Sequence, residues 1–420
     1  MRVWMLNRSL LWLGTIPLLA APFGHAQDFY LHDGDRVAFY GDSITAQRFY
    51  TQDVEAFVDT RYPRMKIAFH NAGVPGDRVT GGYTGTAATR VARDVAPFHP
   101  TVITVMLGMN EGGYTSLKPE VIPQFVTGYK SLLKLLRSAA PTARIDLLEN
   151  TPYDEITHGT EFAGYMDTTK SIANCTPAFA DSEHVPVINT EGPVESLIRA
   201  AAKRGPVLAP LLVPDRIHPG EATHWVIAAA IMKAWNADPV VSAVAISAAD
   251  LKIVTSKRTT ISSLSRADDV LSWDQQDDAL PLPLNVGDPL TRMVLDLTDL
   301  TSVDQETLVV TGLPVGTYTL TIDHERALGP FTAKELARGI NLATMETPML
   351  HQARTLAGAL DSRSKLEEAD FSLQMDTSAN GKKAASEALA EGEQEFTTKA
   401  RKVLDIPIHH YSLRSIGRPE

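Results

Sequence analysis

Ser43 stands in Val37-Ala-Phe-Tyr-Gly-Asp-Ser-Ile44, just after a short apolar run and inside a Gly-Asp-Ser turn that would hold its hydroxyl clear of the delivering strand. That placement points to nucleophilic chemistry, but a serine at neutral pH needs a neighbouring base to take its proton. The stretch Val213-Pro-Asp215-Arg-Ile-His218-Pro-Gly-Glu-Ala supplies an aspartate and a histidine together, in a loop-like segment ahead of an apolar helical pattern. Three residues apart in a turn, the carboxylate can reach one imidazole nitrogen while the other faces the serine, which fixes the tautomer of a general base.

Acyl transfer also needs donors where negative charge develops. Phe69-His-Asn-Ala-Gly-Val-Pro-Gly76-Asp77 ends an apolar run, and Gly76 leaves its backbone N–H approachable by a substrate oxygen. Val102-Ile-Thr-Val-Met-Leu-Gly108-Met-Asn110-Glu111 is a β-prone run that stops at a glycine and then presents an amide side chain. Asn110, Gly76 and the N–H of Ser43 would give an oxyanion hole of three donors. Asn150-Thr-Pro-Tyr-Asp154-Glu155 follows another strand and falls at the same end by alternation. Asp42, Asp77, Glu111 and Asp154 are therefore expected to help shape the substrate site.

The ordered set Gly41-Asp-Ser-Ile-Thr45, Gly73-Val-Pro-Gly76-Asp77, Gly108-Met-Asn110-Glu111 and Asp215-Arg-Ile-His218 resembles the four blocks of the GDSL, or SGNH, hydrolase family. The resemblance implies a three-layer α/β/α fold and esterase or acylhydrolase activity. It also implies Ser43 as nucleophile, His218 as base, Asp215 as its orienter, and Gly76 and Asn110 as completing the oxyanion hole. The third block usually ends in aspartate, where this chain has Glu111; because Asn110 is the donor, the change bears on local packing and substrate fit.

These residues need a scaffold that brings them to one edge. Over 27–238, apolar runs near 35–40, 66–70, 101–107, 143–149 and 185–189 alternate with helical patterns near 48–60, 86–96, 120–139, 160–175 and 219–236. That rhythm predicts an α/β domain with a parallel central sheet, whose strand ends gather the site. Val126, Tyr129, Leu132, Leu133 and Leu136 recur as a core stripe of one helix. Residues 239–330 read as a small β-rich, sandwich-like region with β-prone pieces at 240–246, 251–254, 293–297 and 307–310 and clear alternation over 316–323. Trp273 is a core residue on the simpler reading and a sugar-stacking ring on the other. Residues 331–420 read as helical: Thr332 and Glu335 form a capping box, Gly339 interrupts the short helix, and Leu350–Leu360 and Lys382–Val403 suit longer helices. A large-chain bacterial branch of the same family has a similar C-terminal extension, which implies packing back on the first domain.

The 420 residues, 44% of them hydrophobic, can bury a substantial core, and a single cysteine, Cys175, excludes an intrachain disulfide. A formal charge of −11 without a basic cluster argues against nucleic acid and anionic membranes as partners. Arg2, Arg8, the apolar stretch Leu10–Ala21 and Gly24-His-Ala26 read as a signal peptide over 1–26, hence export to a periplasm or beyond, and no later run is long enough to span a bilayer. No cysteine, histidine and carboxylate cluster has zinc-ligand spacing, so no metal or cofactor is expected. His70, His99, His158 and His184 read as structural or exposed, and His224 as a packing residue. The expected partner is an acylated carbohydrate or another small ester, with a carbohydrate O-acetylesterase as the working reading. A short-chain lipase would instead carry a long apolar acyl tunnel, and a noncatalytic glycan-binding protein would carry an idle or occluded triad.

Overall fold

The computed structural model of the protein describes residues 28–159, 161–323, 325–375 and 382–417; the expected signal peptide lies outside them. Strands β1 (Arg36–Gly41) and β2 (Ala68–Gly73) are followed by a two-residue ribbon, β3 (Gly81–Gly82) with β4 (Gly85–Thr86), and then by β5 (Val102–Met106), β6 (Arg144–Leu148) and β7 (Val187–Ile188). Five of them form one parallel sheet in the order β2-β1-β5-β6-β7. Successive side chains of β1 enter different cores, Val37 and Phe39 on one face and Ala38 and Tyr40 on the other. A strand covered on both faces has to be apolar throughout, which is why these segments read as runs and not as alternations.

Helices α1 (Ser43–Ala46), α2 (Phe49–Arg61), α3 (Ala87–Arg90), α4 (Val121–Ala139), α5 (Tyr165–Ser182), α6 (Glu191–Arg204) and α7 (Glu221–Ala234) supply the outer layers. On α4 the stripe Tyr129, Leu132, Leu133 and Leu136 is buried together with Phe125, while Val126 sits at its edge. The opposite face takes Phe57 of α2, Leu197 of α6 and Ile227 of α7. The result is the three-layer α/β/α arrangement.

Beyond residue 238 the chain builds β8 (Val240–Ser247), β9 (Lys252–Lys257), β10 (Thr259–Ala267), β11 (Val270–Asp277), α8 (Pro289–Leu297), β12 (Gln305–Thr311), β13 (Thr317–Ile322) and β14 (Leu328–Thr332). It continues through α9 (Ala333–Arg338), β15 (Ile340–Asn341), α10 (Pro348–Met375), α11 (Lys382–Val403) and β16 (His409–Gly417). Two sheets, β15-β12-β8-β9 and β10-β11-β16-β13-β14, share one core in which Ile246 and Val310 meet Leu320 and Leu413.

Several expectations change here. Residues 331–420 are not only helical: β16 is the middle strand of the five-stranded sheet, between β11 and β13, with Tyr411 and Leu413 turned inward. The segment 293–297 belongs to helix α8, because Asp288 caps Thr291 N–H and Pro289 opens the first turn. Leu282, Leu284, Val294, Leu300 and Val303 join the core of the first domain, so the β-rich region is not one unit in space. Trp273 is fully buried, stacked on Tyr411 at 5.1 Å, and so offers no platform to a sugar. The capping box at Thr332 and Glu335 is present, and Gly339 ends α9 at φ 99°.

Helices α10 and α11 pack on α2 through Leu356, Leu360, Ala400 and Ala56. A second tie between the regions is Arg61, buried at the end of α2. Its Nη2 donates to Asp304 Oδ1 at 2.9 Å and its Nη1 to the Asp238 carbonyl at 2.7 Å, while Asp304 Oδ2 accepts from Leu282 N at 3.0 Å. Burial pushes the Asp304 carboxyl up to about 6 although Arg61 pulls it down. Arg61→Met removes the partner and strands a buried carboxylate, so chemical unfolding should reveal a loss of about 3–5 kcal/mol; an unaltered denaturation midpoint would contradict the role of this pair.

Candidate active site

Strand β1 is flanked on both sides in its sheet, by β2 and β5, and ends at Gly41, so the next residues emerge at the carboxyl edge, where open α/β sheets place their sites. Asp42 is the N-cap of α1 and accepts from Ile44 N–H at 3.0 Å, leaving Ser43 as the first helical residue. No side chain fits at Gly41: a Cβ would lie 2.1 Å from Thr45 Oγ1 and 2.7 Å from the Met106 carbonyl. From β2, Asn71 Nδ2 donates to the Thr45 carbonyl at 2.7 Å, locking the turn that carries Ser43 to the neighbouring strand.

The loop before α7 brings His218 to Ser43. His218 Nε2 lies 2.8 Å from Ser43 Oγ, and its Nδ1 lies 2.6 Å from Asp215 Oδ2. The other Asp215 oxygen accepts the N–H groups of His218 at 2.7 Å and Ile217 at 3.0 Å. Partial burial raises the Asp215 carboxyl, but these hydrogen bonds outweigh it and hold the group below the usual carboxylate range. The loop itself is fixed by Gly220 N donating to the Leu212 carbonyl at 2.8 Å and by Asp154 N donating to that of Arg216 at 2.9 Å.

His224 is wholly buried beside this loop. Its Nδ1 accepts from Tyr50 N–H at 3.2 Å, so Nε2 carries the hydrogen and faces the Pro219 carbonyl at 3.1 Å and Gln47 Oε1 at 3.2 Å. Burial lowers its pKa to about 3, which leaves it a neutral clamp between the serine-bearing and histidine-bearing segments. His70 and His158 bond to backbone carbonyls, and His99 and His184 occupy left-handed turn positions. Cys175 donates to the Ile172 carbonyl, and burial pushes its thiol up to about 11.

Around Ser43 the structure places three sets of donors. Gly76 has φ +73°, in the left-handed region that suits glycine. Among the described residues, neither its N–H nor that of Ser43 has an acceptor. Asn110 Nδ2 donates to the Asp77 carbonyl at 3.0 Å and makes only a long 3.5 Å contact with Asp42, while Tyr114 Oη donates to its Oδ1 at 2.9 Å and orients the amide.

Asp42, Asp77, Glu111 and Asp154 do not shape the cleft directly, because their carboxyls are buried beneath it and already hold the protein's own groups. Asp77 accepts from Arg90 Nε at 3.0 Å, Glu111 from Val79 N at 3.0 Å, and Asp154 from Ile156 N at 2.8 Å and Thr157 N at 2.9 Å. Burial, with the charges of Glu111 and Asp77 nearby, pushes Asp42 up to about 8. Burial alone pushes Glu111 up to about 7. The longer Glu111 side chain, where the family has aspartate, reaches the backbone of the Gly76 segment.

A cleft of about 700 Å³ opens over Ser43, Gly76, Asn110 and His218. Its rim includes residues that motif reading missed: Arg48, Tyr83, Tyr114 and, from α10, Glu368, Phe371 and Ser372. Tyr114, four residues after Asn110, was within reach of a local reading; the α10 residues carry no local signal of where their helix docks. A hydroxyl bonded to an imidazole, the imidazole bonded to a carboxylate, and unengaged N–H donors beside the hydroxyl are together equipped for nucleophilic attack on a carbonyl.

Residues 39–226 match the model of the GDSL-like Lipase/Acylhydrolase family. Among solved structures, the chain is similar to that of BT4096, described as a gut microbial diltiazem-metabolizing enzyme, at 24% identity and TM-score 0.77 over 92% of this chain and 98% of that one. The architecture is thus shared well beyond the family-matched segment. Axe2, an acetylxylan esterase from Geobacillus stearothermophilus, matches at 18% identity and TM-score 0.40 over 49% of this chain and 96% of its own. No curated protein is a significant sequence match. Among the described residues no helix is long and apolar enough to cross a membrane, and no group of three or more histidine, cysteine or acidic residues is placed to hold a metal ion.

The raised Glu111 carboxyl gives a stability test with a defined sign. Below pH 4 it is protonated whether the chain is folded or not; above that, the unfolded chain releases the proton near its ordinary value of about 4.3 while the folded chain keeps it to about pH 7. Stability should fall as pH rises through this window and level off beyond it. Glu111→Gln, which can still accept from Val79, should narrow the difference in melting temperature between pH 5 and pH 8; an identical difference in both proteins would contradict the assignment.

Proposed function

We propose that the protein hydrolyses carboxylic esters with Ser43 as nucleophile, His218 as general base and Asp215 as its orienter, and that its natural substrates are O-acetylated carbohydrates met after export. The observation that carries the reading is the continuous relay from Ser43 Oγ to His218 Nε2 at 2.8 Å and from Nδ1 to Asp215 at 2.6 Å, opening into a cleft beside unengaged N–H groups.

His218 takes the Ser43 proton as Oγ adds to the ester carbonyl, while Asp215 keeps Nδ1–H in place and stabilises the imidazolium. The new oxyanion is met by the N–H groups of Ser43 and Gly76 and by the second N–H of Asn110. His218 then protonates the departing alkoxide, leaving an acyl-Ser43. Water, deprotonated by the same imidazole, releases the acid and restores the hydroxyl. Gln47, Arg48, Asp215 and Glu368 make the cleft rim polar. Such groups, set beside the rings of Tyr83, Tyr114 and Phe371, suit an alcohol that is rich in hydroxyls and also has apolar C–H faces, which supports acetate esters of glycans as the substrate class.

Ser43→Ala should fold normally and lose about 10⁴- to 10⁶-fold in kcat, and Asn110→Ala should lose about 10²- to 10³-fold. Retained hydrolysis by Ser43→Ala would overturn the mechanism. Acetate release from acetylated xylan, pectin and mannan, compared with cleavage of short- and long-chain nitrophenyl esters, checks the substrate. Strong preference for long chains without acetate release from any glycan would defeat the carbohydrate reading.

A further inference from the structure

Part of the cleft wall comes from the far end of the chain. Glu368, Phe371 and Ser372, in the last turns of α10, line the same cavity as Ser43 and His218. Two sets of contacts fix this segment there. Arg48, two residues past α1 and itself at the rim, donates Nη1 to Ser364 Oγ at 3.2 Å and to Glu367 Oε2 at 3.1 Å. Arg363 bonds Glu367 at 3.0 Å and Glu55 of α2 at 2.8 Å. These charges are mostly screened from water, so their pairing holds α10 more firmly than surface ion pairs would.

The second set reaches across to another part of the rim. The Arg93 guanidinium lies 5.7 Å from the centroid of the Phe371 ring, and Arg93 Nη1 also donates to the Thr84 carbonyl at 3.0 Å. Thr84 follows Tyr83, a residue 76% exposed at the cleft whose Cδ1 stands 4.0 Å from where a Gly76 Cβ would be. One aromatic ring therefore borders a backbone N–H beside the nucleophile, and a second is held at the rim by a cation from the same segment. A tyrosine this exposed contributes little to the core, and its ring is free to meet a ligand.

We propose that Phe371 and Tyr83 are specificity-determining residues that receive the alcohol part of the ester on their ring faces, with Glu368 accepting hydrogen bonds from its hydroxyls. The substrate class this fits is an acylated sugar ring, which offers an apolar C–H face for stacking and a polar edge for a carboxylate. The inference rests on the ester-hydrolase reading of Ser43, and it assigns the C-terminal helix a part of the substrate site in addition to its packing role.

The test compares two acetate esters, glucose pentaacetate and ethyl acetate, which share the acyl group and differ in the alcohol. Phe371→Ala should lower the ratio of kcat/KM for the sugar ester to that for ethyl acetate about five- to tenfold, mainly through KM, as expected for loss of one ring contact. Tyr83→Ala should lower it in the same direction, and Phe371→Tyr, which keeps the ring, should restore it. Circular dichroism establishes that each variant is folded. Equal losses on both esters, or an unaltered ratio in folded Phe371→Ala, would overturn the inference while leaving the mechanism standing. Activity retained by Ser43→Ala would strike the mechanism itself, so the two failures are distinguishable.

Discussion

The buried guanidinium of Arg90 is the constraint on which the site depends. It is fully inaccessible, lies over the Tyr40 ring at 4.7 Å, and spends its donors on Asp77 at 3.0 Å, on Asp94, on the Ala72 carbonyl at 2.8 Å and, more weakly, on that of Gly41 at 3.4 Å. Gly41 and Ala72 belong to the ends of β1 and β2, and Asp77 follows Gly76. One cation thus fixes the strand end that delivers Ser43, its neighbour in the sheet, and the turn that presents Gly76. Burying such a charge is tolerable only because two carboxylates and two carbonyls receive it. Through the Asp77 carbonyl, which accepts from Asn110 at 3.0 Å, the same arrangement reaches the amide donor.

His218 arrives from the other side and is held by different means. His224, neutral because it is buried, joins the backbone of Tyr50 to that of Pro219, so the loop of His218 is referenced to the start of α2 just after Ser43. Asp215 then fixes His218 by both its ring and its backbone N–H. The acidic residues beneath the cleft act as fasteners for loops and for Arg90, and with two of them raised toward neutrality the site rests on carboxyls that need not all be charged.

How much of this was legible in the sequence follows from the range of the interactions. The strands of the parallel sheet, the stripe on α4 and the capping box at Thr332 are written in neighbouring residues, so they read directly. The motif blocks carry Ser43, Gly76, Asn110, Asp215 and His218 for the same reason, each sitting in a local turn. What escaped depends on distant pairing. Tyr411 and Leu413 alternate like a strand, but only β11 and β13 make that strand central. Met293–Leu297 is β-prone by composition, and Asp288 with Pro289 decides for helix. Trp273 reads more simply as a core residue, but the platform reading stays open in the sequence until Tyr411 covers the ring. Asp42, Asp77 and Glu111 occupy motif positions, yet nothing local tells a carboxylate facing substrate from one bonded inward to Arg90 or Val79. The docking of Glu368 and Phe371 at the cleft depends on ion pairs between Arg48, Arg363, Glu367 and Glu55 that no local pattern encodes.

The central claim, that Ser43 is an activated nucleophile, is tested most directly by covalent capture. Treatment of the folded protein with a fluorophosphonate, followed by proteolysis and mass spectrometry, should place one adduct on the peptide containing Ser43. Labelling should be lost on denaturation and strongly slowed in His218→Ala, because both remove the base that activates the hydroxyl. An unlabelled Ser43 in a preparation that hydrolyses esters, or an adduct at another serine that accompanies loss of activity, would contradict the account.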